Sequence, residues 1–303
     1  MDTKSSPSVP AVKYGPPTYE KLSARILKEC GKVAGHENIG RYYSMGCVRD
    51  VSIKARVVPP LEFQQPGKGQ DRVFSGLVVN EGQTVPITVV ADGVSDSENG
   101  GQAAEEAVIA AVRQLSVLKP GLDHAEVSDI LGSVFDQAGV SLRNKKIPGA
   151  TTLLVGFPYI HPPRGGSSTR DGVGWWHYGY IGDGGMTVIS KAKDRRIDGR
   201  SMSTFLLSPQ KFVATASVSS KGCTHRPVIG CVQYVPGDSL VMMTDGFGDL
   251  DRWLYKNRNT TIPWILGDED DSTTALANIE KEAGNQRFGD DAVLGVIDTK
   301  TLV

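Results

Sequence analysis

The sequence predicts an α+β fold built on antiparallel sheets. Two observations carry that prediction. β-branched and aromatic runs joined by short turns repeat along the chain, while two helix-period segments follow one another with no strand between them. The Gly-x-x-x-x-Gly-Lys-Ser/Thr and Gly-x-Gly-x-x-Gly loops of parallel nucleotide-binding sheets are absent from the 303 residues.

In chain order, residues 1–17 are rich in Ser and Pro, which build no core, and read as a flexible lead. Thr18 is placed to cap a helix on which Leu22, Ile26, Leu27 and Cys30 recur at helical spacing, with Gly31 as its stop. A stretch of mixed signals follows. Residues 73–79 and 85–91, separated by Asn80, Glu81 and Gly82, predict a hairpin. The period then changes. Ala104, Ala107, Val108, Ala111 and Leu115 form one face of a helix over 101–118, and Lys119, Pro120 and Gly121 break the chain. A second helix is expected over 124–143 with Val127, Ile130, Leu131, Val134, Phe135 and Ala138 inward. Strand character returns over 150–157, and 158–174 is a loop dense in Pro, Gly and Ser. Strands over 175–181 and 187–190 flank a turn at Asp183, Gly184 and Gly185. Residues 191–200 read as an irregular solvated segment. Residues 232–235 and 239–243 bracket a turn at 236–238, giving one more hairpin. Asp271, Ser272 and Thr273 can cap a helix through Ala283, ended by Gly284, and 292–297 is the last strand.

Lys+Arg 33 against Asp+Glu 34 gives a net charge of −1, without the electrostatic footprint of a nucleic-acid binder or of a polybasic membrane surface. The longest apolar stretches, such as 108–112, 153–157 and 240–243, fall far short of the ~20 residues that span a bilayer. The lead has no apolar signal core, so a cytoplasmic location is expected. Cys30, Cys47, Cys223 and Cys231 form no Cys-x-x-Cys pair and read as reduced, partly buried thiols. Cys223, His225 and Cys231 lack a clear fourth ligand for zinc. The acidic run 268–271 precedes a helix, where the dipole favours negative charge.

The chemistry lies in the aspartates. Asp92, Asp183 and Asp245 each follow an apolar run and precede a glycine; Asp71 precedes 73–77, and Asp290 and Asp291 precede 292–297. Asp-Gly is ordinarily a hairpin turn, which suits Asp183-Gly184. It suits Asp92 poorly, since a polar loop into a helix follows, and Asp245 is followed by no prompt return strand. If the strands pack together these carboxylates converge, and two of them ~5 Å apart repel by about 3 kcal/mol at an effective dielectric of 20. Such a cluster needs cations. Oxygen donors with no His or Cys interleaved point to Mg²⁺ or Mn²⁺ rather than Zn²⁺, and a flanking glycine lets a carbonyl or water approach the ion.

From about Gly67 to Asp298 the order of these motifs resembles the metal-dependent protein phosphatase family, the type 2C serine/threonine phosphatases, in a bacterial-like form. The resemblance rests on Gly69-Gln70-Asp71, on Val89-Val90-Ala91-Asp92-Gly93-Val94-Ser95 continued by Gly100 and Ala103-Ala104, and on Gly149-Ala150-Thr151-Thr152-Leu153. Ile181-Gly182-Asp183, Thr244-Asp245-Gly246-Phe247-Gly248-Asp249 and Gly289-Asp290-Asp291-Ala292 complete it. It implies a four-layer α-β-β-α sandwich, two central antiparallel sheets flanked by helices. It implies two Mn²⁺ or Mg²⁺ ions, bridged by Asp92, with the Gly93 carbonyl on one, Asp245 and Asp290 on the other, and Asp71 acting through a metal-bound water. Asp183 and Asp249, with Asp245, match positions that hold a third, weaker ion. The implied activity is hydrolysis of phosphoserine or phosphothreonine on a protein, by in-line attack of a metal-bridging water, opposing a serine/threonine kinase in signalling. Because the ligand positions run from Asp71 to Asp290, residues 18–303 are expected to form one domain, with 18–40 as an N-terminal helix extension.

The sequence also departs from the family pattern. Pro66, Gly67 and Lys68 stand where an arginine often holds the substrate phosphate; Lys68 can substitute as a point charge, and Arg72 and Arg56 are other candidates. Gln70 replaces a glutamate, Val94 offers no general acid, Gly184-Gly185 replaces Ser-Arg, and Ser95-Asp96 replaces Gly-Gly. These departures motivate a second reading, a phosphatase-like regulatory or binding module with weak or no turnover. A third, a hydrolase of non-protein phosphate esters, would use the same metals. The basic side chains Lys191, Lys193, Arg195, Arg196 and Arg200 fall where the family carries a mobile flap, so substrate contact and a solvated loop are both open.

Overall fold

The computed structural model describes residues 16–30, 32–34, 39–44, 47–58, 70–81, 83–94, 97, 99–161, 174–190, 196–197, 200–207, 216–233, 237–268, 272–284 and 292–299. The elements are α1 (Pro16–Cys30), β1 (Val33–Ala34), β2 (Ile39–Ser44), β3 (Cys47–Val58), β4 (Arg72–Asn80), β5 (Gln83–Ala91), α2 (Gly100–Leu115) and α3 (His124–Asn144). They continue with β6 (Ala150–Thr151), β7 (Leu153–Ile160), β8 (Gly174–Ile181), β9 (Gly185–Ser190), β10 (Arg196–Ile197), β11 (Arg200–Leu207), β12 (Val218–Ser219) and β13 (Gly222–Cys223). The last are β14 (Val228–Gln233), β15 (Asp238–Met243), α4 (Asp245–Arg258), α5 (Ile262–Asp268), α6 (Ser272–Gly284) and β16 (Ala292–Thr299).

Two antiparallel sheets stack face to face. One has the order β1-β4-β5-β7-β8-β14, the other β10-β11-β9-β15-β16-β3-β2, and β13-β12-β6 form a small third sheet. Helices α2 and α3 lie on the outer face of the first sheet, and α4, α5 and α6 on the outer face of the second. The fold is thus the expected α+β sandwich of two antiparallel sheets. Alternation along the strands of the second sheet explains the layering. Leu240, Met242, Val293 and Ile297 point into the core shared with the first sheet, whereas Val241, Met243, Leu294 and Val296 join Phe247, Leu254, Ile262 and Ile279 beneath the helices. Strands buried on both faces read as continuous apolar runs, as these do.

A buried carboxylate fastens the helical layer. Glu106 on α2 accepts hydrogen bonds from Arg25 Nη2 of α1 (2.9 Å), Lys145 Nζ (2.7 Å) and Ser141 Oγ of α3 (2.5 Å). Burial opposes the Arg25 charge, yet Glu29, Glu105 and Glu106 outweigh it and hold the guanidinium pKa above its usual value. At the start of α3, Asp123 and Glu126 form a reciprocal capping box.

Several expectations are corrected. Helix α1 begins at Pro16 rather than after Thr18; the first turn tolerates proline because its N–H groups have no intrahelical partner. Residues 1–15 lie outside the described residues. The mixed-signal stretch holds the β2–β3 hairpin, paired from Ile39↔Ser52 to Ser44↔Cys47. The strand expected over 150–157 splits at Thr152 into β6 and β7, which join different sheets. Pro158 does not end β7: β5 pairs with it only at Leu154 to Gly156, so the missing N–H interrupts no ladder on that side. Residues 191–200 contain β10 and the start of β11, an antiparallel pair. Residues 232–235 and 239–243 are no hairpin, because β14 pairs with β8 in the first sheet and β15 with β9 and β16 in the second. Likewise Asp183-Gly184 is no hairpin turn but the crossover from β8 to β9, one sheet to the other. Helices α4 and α5 went unread in the sequence.

Candidate metal centre

Strand register places the carboxylates. β4 and β5 pair from Asn80↔Gln83 to Arg72↔Ala91, so the next step sets Asp71 opposite Asp92. β5 pairs with β7 at Val90↔Leu154 and β7 with β8 at Leu153↔Ile181, which extends the same row to Thr152 and Gly182. Asp183 follows at the crossover. In the second sheet β15 ends at Met243, paired with Gly185 of β9, and Thr244 and Asp245 come next. Gly184 lies so close to that strand that a Cβ on it would meet the Met243 carbonyl at 2.7 Å. Asp71, Asp92, Asp183 and Asp245 therefore gather at one end of the sandwich, drawn from both sheets.

The backbone around Asp92 is fixed on several sides. Its carbonyl accepts from Thr152 N and Thr151 Oγ1 (2.8 Å each), and its N–H donates to Thr152 Oγ1 (3.0 Å). Gly93 bridges to Thr151, and Val94 N donates to the Ala150 carbonyl at 3.0 Å. Ser97 Oγ ties the loop to the Val94 carbonyl at 2.7 Å. A Cβ on Gly93 would lie 2.6 Å from the Gly100 carbonyl oxygen and 2.8 Å from Gly101 N. One on Gly100 would meet Gln70 Oε1 at 2.6 Å. Only glycines allow strand β5, the start of α2 and the Gln70-Asp71 segment to converge.

The donor set suits a hard divalent cation. Asp71 is 5% exposed, and Asp71 Oδ2, Asp183 Oδ1 and Asp245 Oδ1 are buried atoms. Burial disfavours the charged form of a carboxylate unless positive charge compensates it. Thr244, wholly buried, holds Asp245 against β16 through its N–H to the Val293 carbonyl (3.1 Å) and its Oγ1 to Val293 N (3.0 Å). Asp249 sits one helical turn after Asp245 on α4 and accepts from Arg252 at 3.0 Å. Asp290 and Lys68, the remaining expected ligand and phosphate-binding residue, lie outside the described residues. So do the side chain of Arg56 and those over 191–200. Arg72 points back at its own segment, donating from Nη1 to the Asp71 carbonyl (2.8 Å), with Nε 4.0 Å from Glu105.

The structure also assembles a group that sequence reading missed. Ligand atoms of His124, His161 and His177 lie within 4.8 Å of one another at the opposite end of the first sheet. Their spacing in sequence carries no motif; only the β7–β8 pairing and the start of α3 bring them together. Burial first, then His161 and His124, push the His177 pKa down to about 3, so it is neutral at physiological pH. The Cys223–His225–Cys231 set is not such a group. Cys231 is exposed where a partly buried thiol is expected, and Cys223 Sγ lies 4.0 Å from the Phe135 carbonyl.

Stacked antiparallel sheets with carboxylates gathered at one end define the class to which comparison leads. The sequence model of the protein phosphatase 2C family matches residues 67–278, and the chain belongs to that family. No curated protein sequence matches. Among solved structures, the serine/threonine phosphatase PstP/Ppp of Mycobacterium tuberculosis superposes with a TM-score of 0.58 at 16% identity, covering 82% of this chain and 99% of that one. The PstP catalytic domain in complex with two manganese ions gives 0.57 at 16% identity, covering 82% and 98%. A bacterial serine phosphatase gives 0.60 at 12% identity, covering 83% and 98%. At such identities the likeness is one of fold.

Proposed function

We propose that the chain is a Mn²⁺- or Mg²⁺-dependent protein serine/threonine phosphatase. The observation that carries this reading is the convergence of Asp71, Asp92, Asp183 and Asp245 from two sheets, in a chain of the protein phosphatase 2C family. Asp92, the Gly93 carbonyl, Asp245 and Asp290 would hold two ions, Asp71 would bind through a water, and Asp183 and Asp249 would serve a weaker third. When bound, such ions supply a nucleophile at neutral pH and neutralise a phosphoryl group. The chain's own part is positioning. Thr151 and Thr152 hold the Asp92 backbone, and the glycines admit close approach. Val94, at a position where many family members carry a histidine or methionine, offers no general acid. The substrate would be a phosphoprotein, and the chain would oppose a serine/threonine kinase. Among the described residues no helix is long and apolar enough to cross a membrane; a cytoplasmic location and one domain over 18–303 belong to the same proposal.

The test compares phosphate release from a phosphoserine peptide by the full chain and by Asp92→Asn, with Mn²⁺ or Mg²⁺. Metal-dependent release, reduced at least ~10²-fold in the variant, is expected. Equal rates, or no release with any divalent metal, would refute it. The missing arginine before Asp71 and the Gln70 in place of a glutamate motivate the alternative of a binding module with weak or no turnover. Calorimetry with Mn²⁺ separates the two, since loss of both tight sites is expected only for the module.

A further inference from the structure

The histidine cluster lies far from the carboxylates. Thr152 bonds to Asp92 at one end of β7, and His161 follows its other end; nine residues at ~3.3 Å each separate them by roughly 25–30 Å. His161 leaves β7, His177 sits on β8 opposite Phe157, and His124 opens α3. His161 and His177 are 6% and 1% exposed, and His124 is half-buried.

The cluster is braced from behind. Leu122, in the connection between α2 and α3, donates its N–H to Tyr159 Oη at 3.0 Å, and Tyr159 donates to the Lys119 carbonyl. The Leu122 carbonyl faces His161 Nδ1 at 3.0 Å. A carbonyl only accepts, so His161 carries its proton on Nδ1 and turns the lone pair of Nε2 inward. That Nε2 lies 2.8 Å from Nε2 of His177. The His124 ring stacks on His161 with centroids 3.7 Å apart and meets the edge of Trp175 at 5.1 Å. A histidine whose outer nitrogen is held by a carbonyl, in a largely buried group of three, has the arrangement by which proteins orient imidazole toward a metal.

We propose that His124, His161 and His177 form a second metal site, distinct from the carboxylate centre, that takes a borderline-soft divalent ion such as Zn²⁺. Three imidazoles with no carboxylate in the set select Zn²⁺ or Cu²⁺ over Mg²⁺ and Mn²⁺, the reverse of the preference at the other end. Tetrahedral ligation at ~2.0–2.1 Å separates two nitrogens by about 3.3 Å, so the His161–His177 pair opens by about half an ångström to admit the ion. His177 then carries its proton on Nδ1 instead of Nε2. Half-buried at a helix start, His124 is the ligand able to swing in. The ion would staple the α2–α3 connection to β7 and β8.

The test uses the full chain with excess Mg²⁺, titrated with Zn²⁺ by calorimetry and thermal melting. One Zn²⁺ equivalent is expected to bind and raise Tm. His124→Gln or His177→Gln should weaken it by about 100-fold or more, while Asp92→Asn leaves it unchanged. Cu²⁺ added to the unmodified chain under the same conditions should give an electron paramagnetic resonance spectrum split by several nitrogens, a readout that needs no variant to fold. Failure to bind Zn²⁺, loss of binding in Asp92→Asn with retention in the histidine variants, or oxygen-only ligation of Cu²⁺ would each overturn the proposal.

Discussion

Replacing Gly93 by alanine tests the convergence at the carboxylates most directly. The added methyl would lie 2.6 Å from the Gly100 carbonyl oxygen, 2.8 Å from Gly101 N, and closer still to the Gly100 carbonyl carbon. All three are backbone at the first turn of α2, so no side chain can swing aside. Ordinary carbon contacts need ~3.5–4.0 Å, and β5 and α2 must therefore part by about 1 Å. Overpacking of this kind costs ~1–3 kcal/mol. At ~2–4 °C per kcal/mol, a fall in Tm of about 2–12 °C follows. The same displacement moves the Asp92-Gly93 backbone, and a misplacement of ~1 Å costs roughly 10²-fold in rate. Thermal melting and metal-dependent phosphate release check both. Gly132→Ala serves as a control of opposite sign. Its methyl would find only Ile229 Cδ1 at 3.7 Å, inside α3, and should stabilise by ~0.5–1 kcal/mol. An unchanged Tm and rate in Gly93→Ala would refute the close approach of β5 and α2.

Glu106→Ala should lower stability by about 2–3 kcal/mol in chemical denaturation. It removes a carboxylate that is 1% exposed, but Arg25 and Lys145, at 33% and 39%, recover some hydration. A loss below about 0.5 kcal/mol would show that the network does not fasten the helices. Gly295→Ala should cost about 1–3 kcal/mol, because its methyl would meet Thr88 Oγ1 and Ser75 Oγ, a buried pair 2.7 Å apart between the sheets; an unchanged denaturation midpoint would count against that contact. Finally, His177 has a folded pKa near 3 against 6.5 unfolded, so its stabilising effect is complete above pH 6.5 and is lost as pH falls toward 3. In chelator, the chain should be about 2 kcal/mol less stable at pH 5 than at pH 7.5 through this group. His177→Gln should show a shallower slope; an equal slope would remove His177 as the cause.

Much of the fold was legible because local physics settles it. The β4–β5 hairpin was readable from β-branched runs around Asn80, Glu81 and Gly82, and the structure turns on Glu81 with φ 47 between paired Asn80 and Gln83. The faces of α2 and α3 were readable because one sheet buries one helical stripe, and Ala104, Ala107, Val108, Val127 and Leu131 are indeed buried. The failures share a cause. Asp183-Gly184 looks like a hairpin turn in sequence, and whether two successive strands pair or change sheet depends on partners distant in the chain. The same holds for β14 and β15. Helix α4 was hidden because its start, Asp245-Gly246-Phe247-Gly248, carries two poor helix formers.

The sequence by itself determined which residues are acidic, which strand end each occupies, and the order that marks the protein phosphatase 2C family, because those properties are written in local composition and spacing. Only the tertiary structure decided that Asp71 stands across from Asp92, that Gly184 lies against Met243, and that His124, His161 and His177 meet. Register between strands and the stacking of two sheets are long-range choices, set by which apolar faces bury one another, and no window of sequence contains both partners.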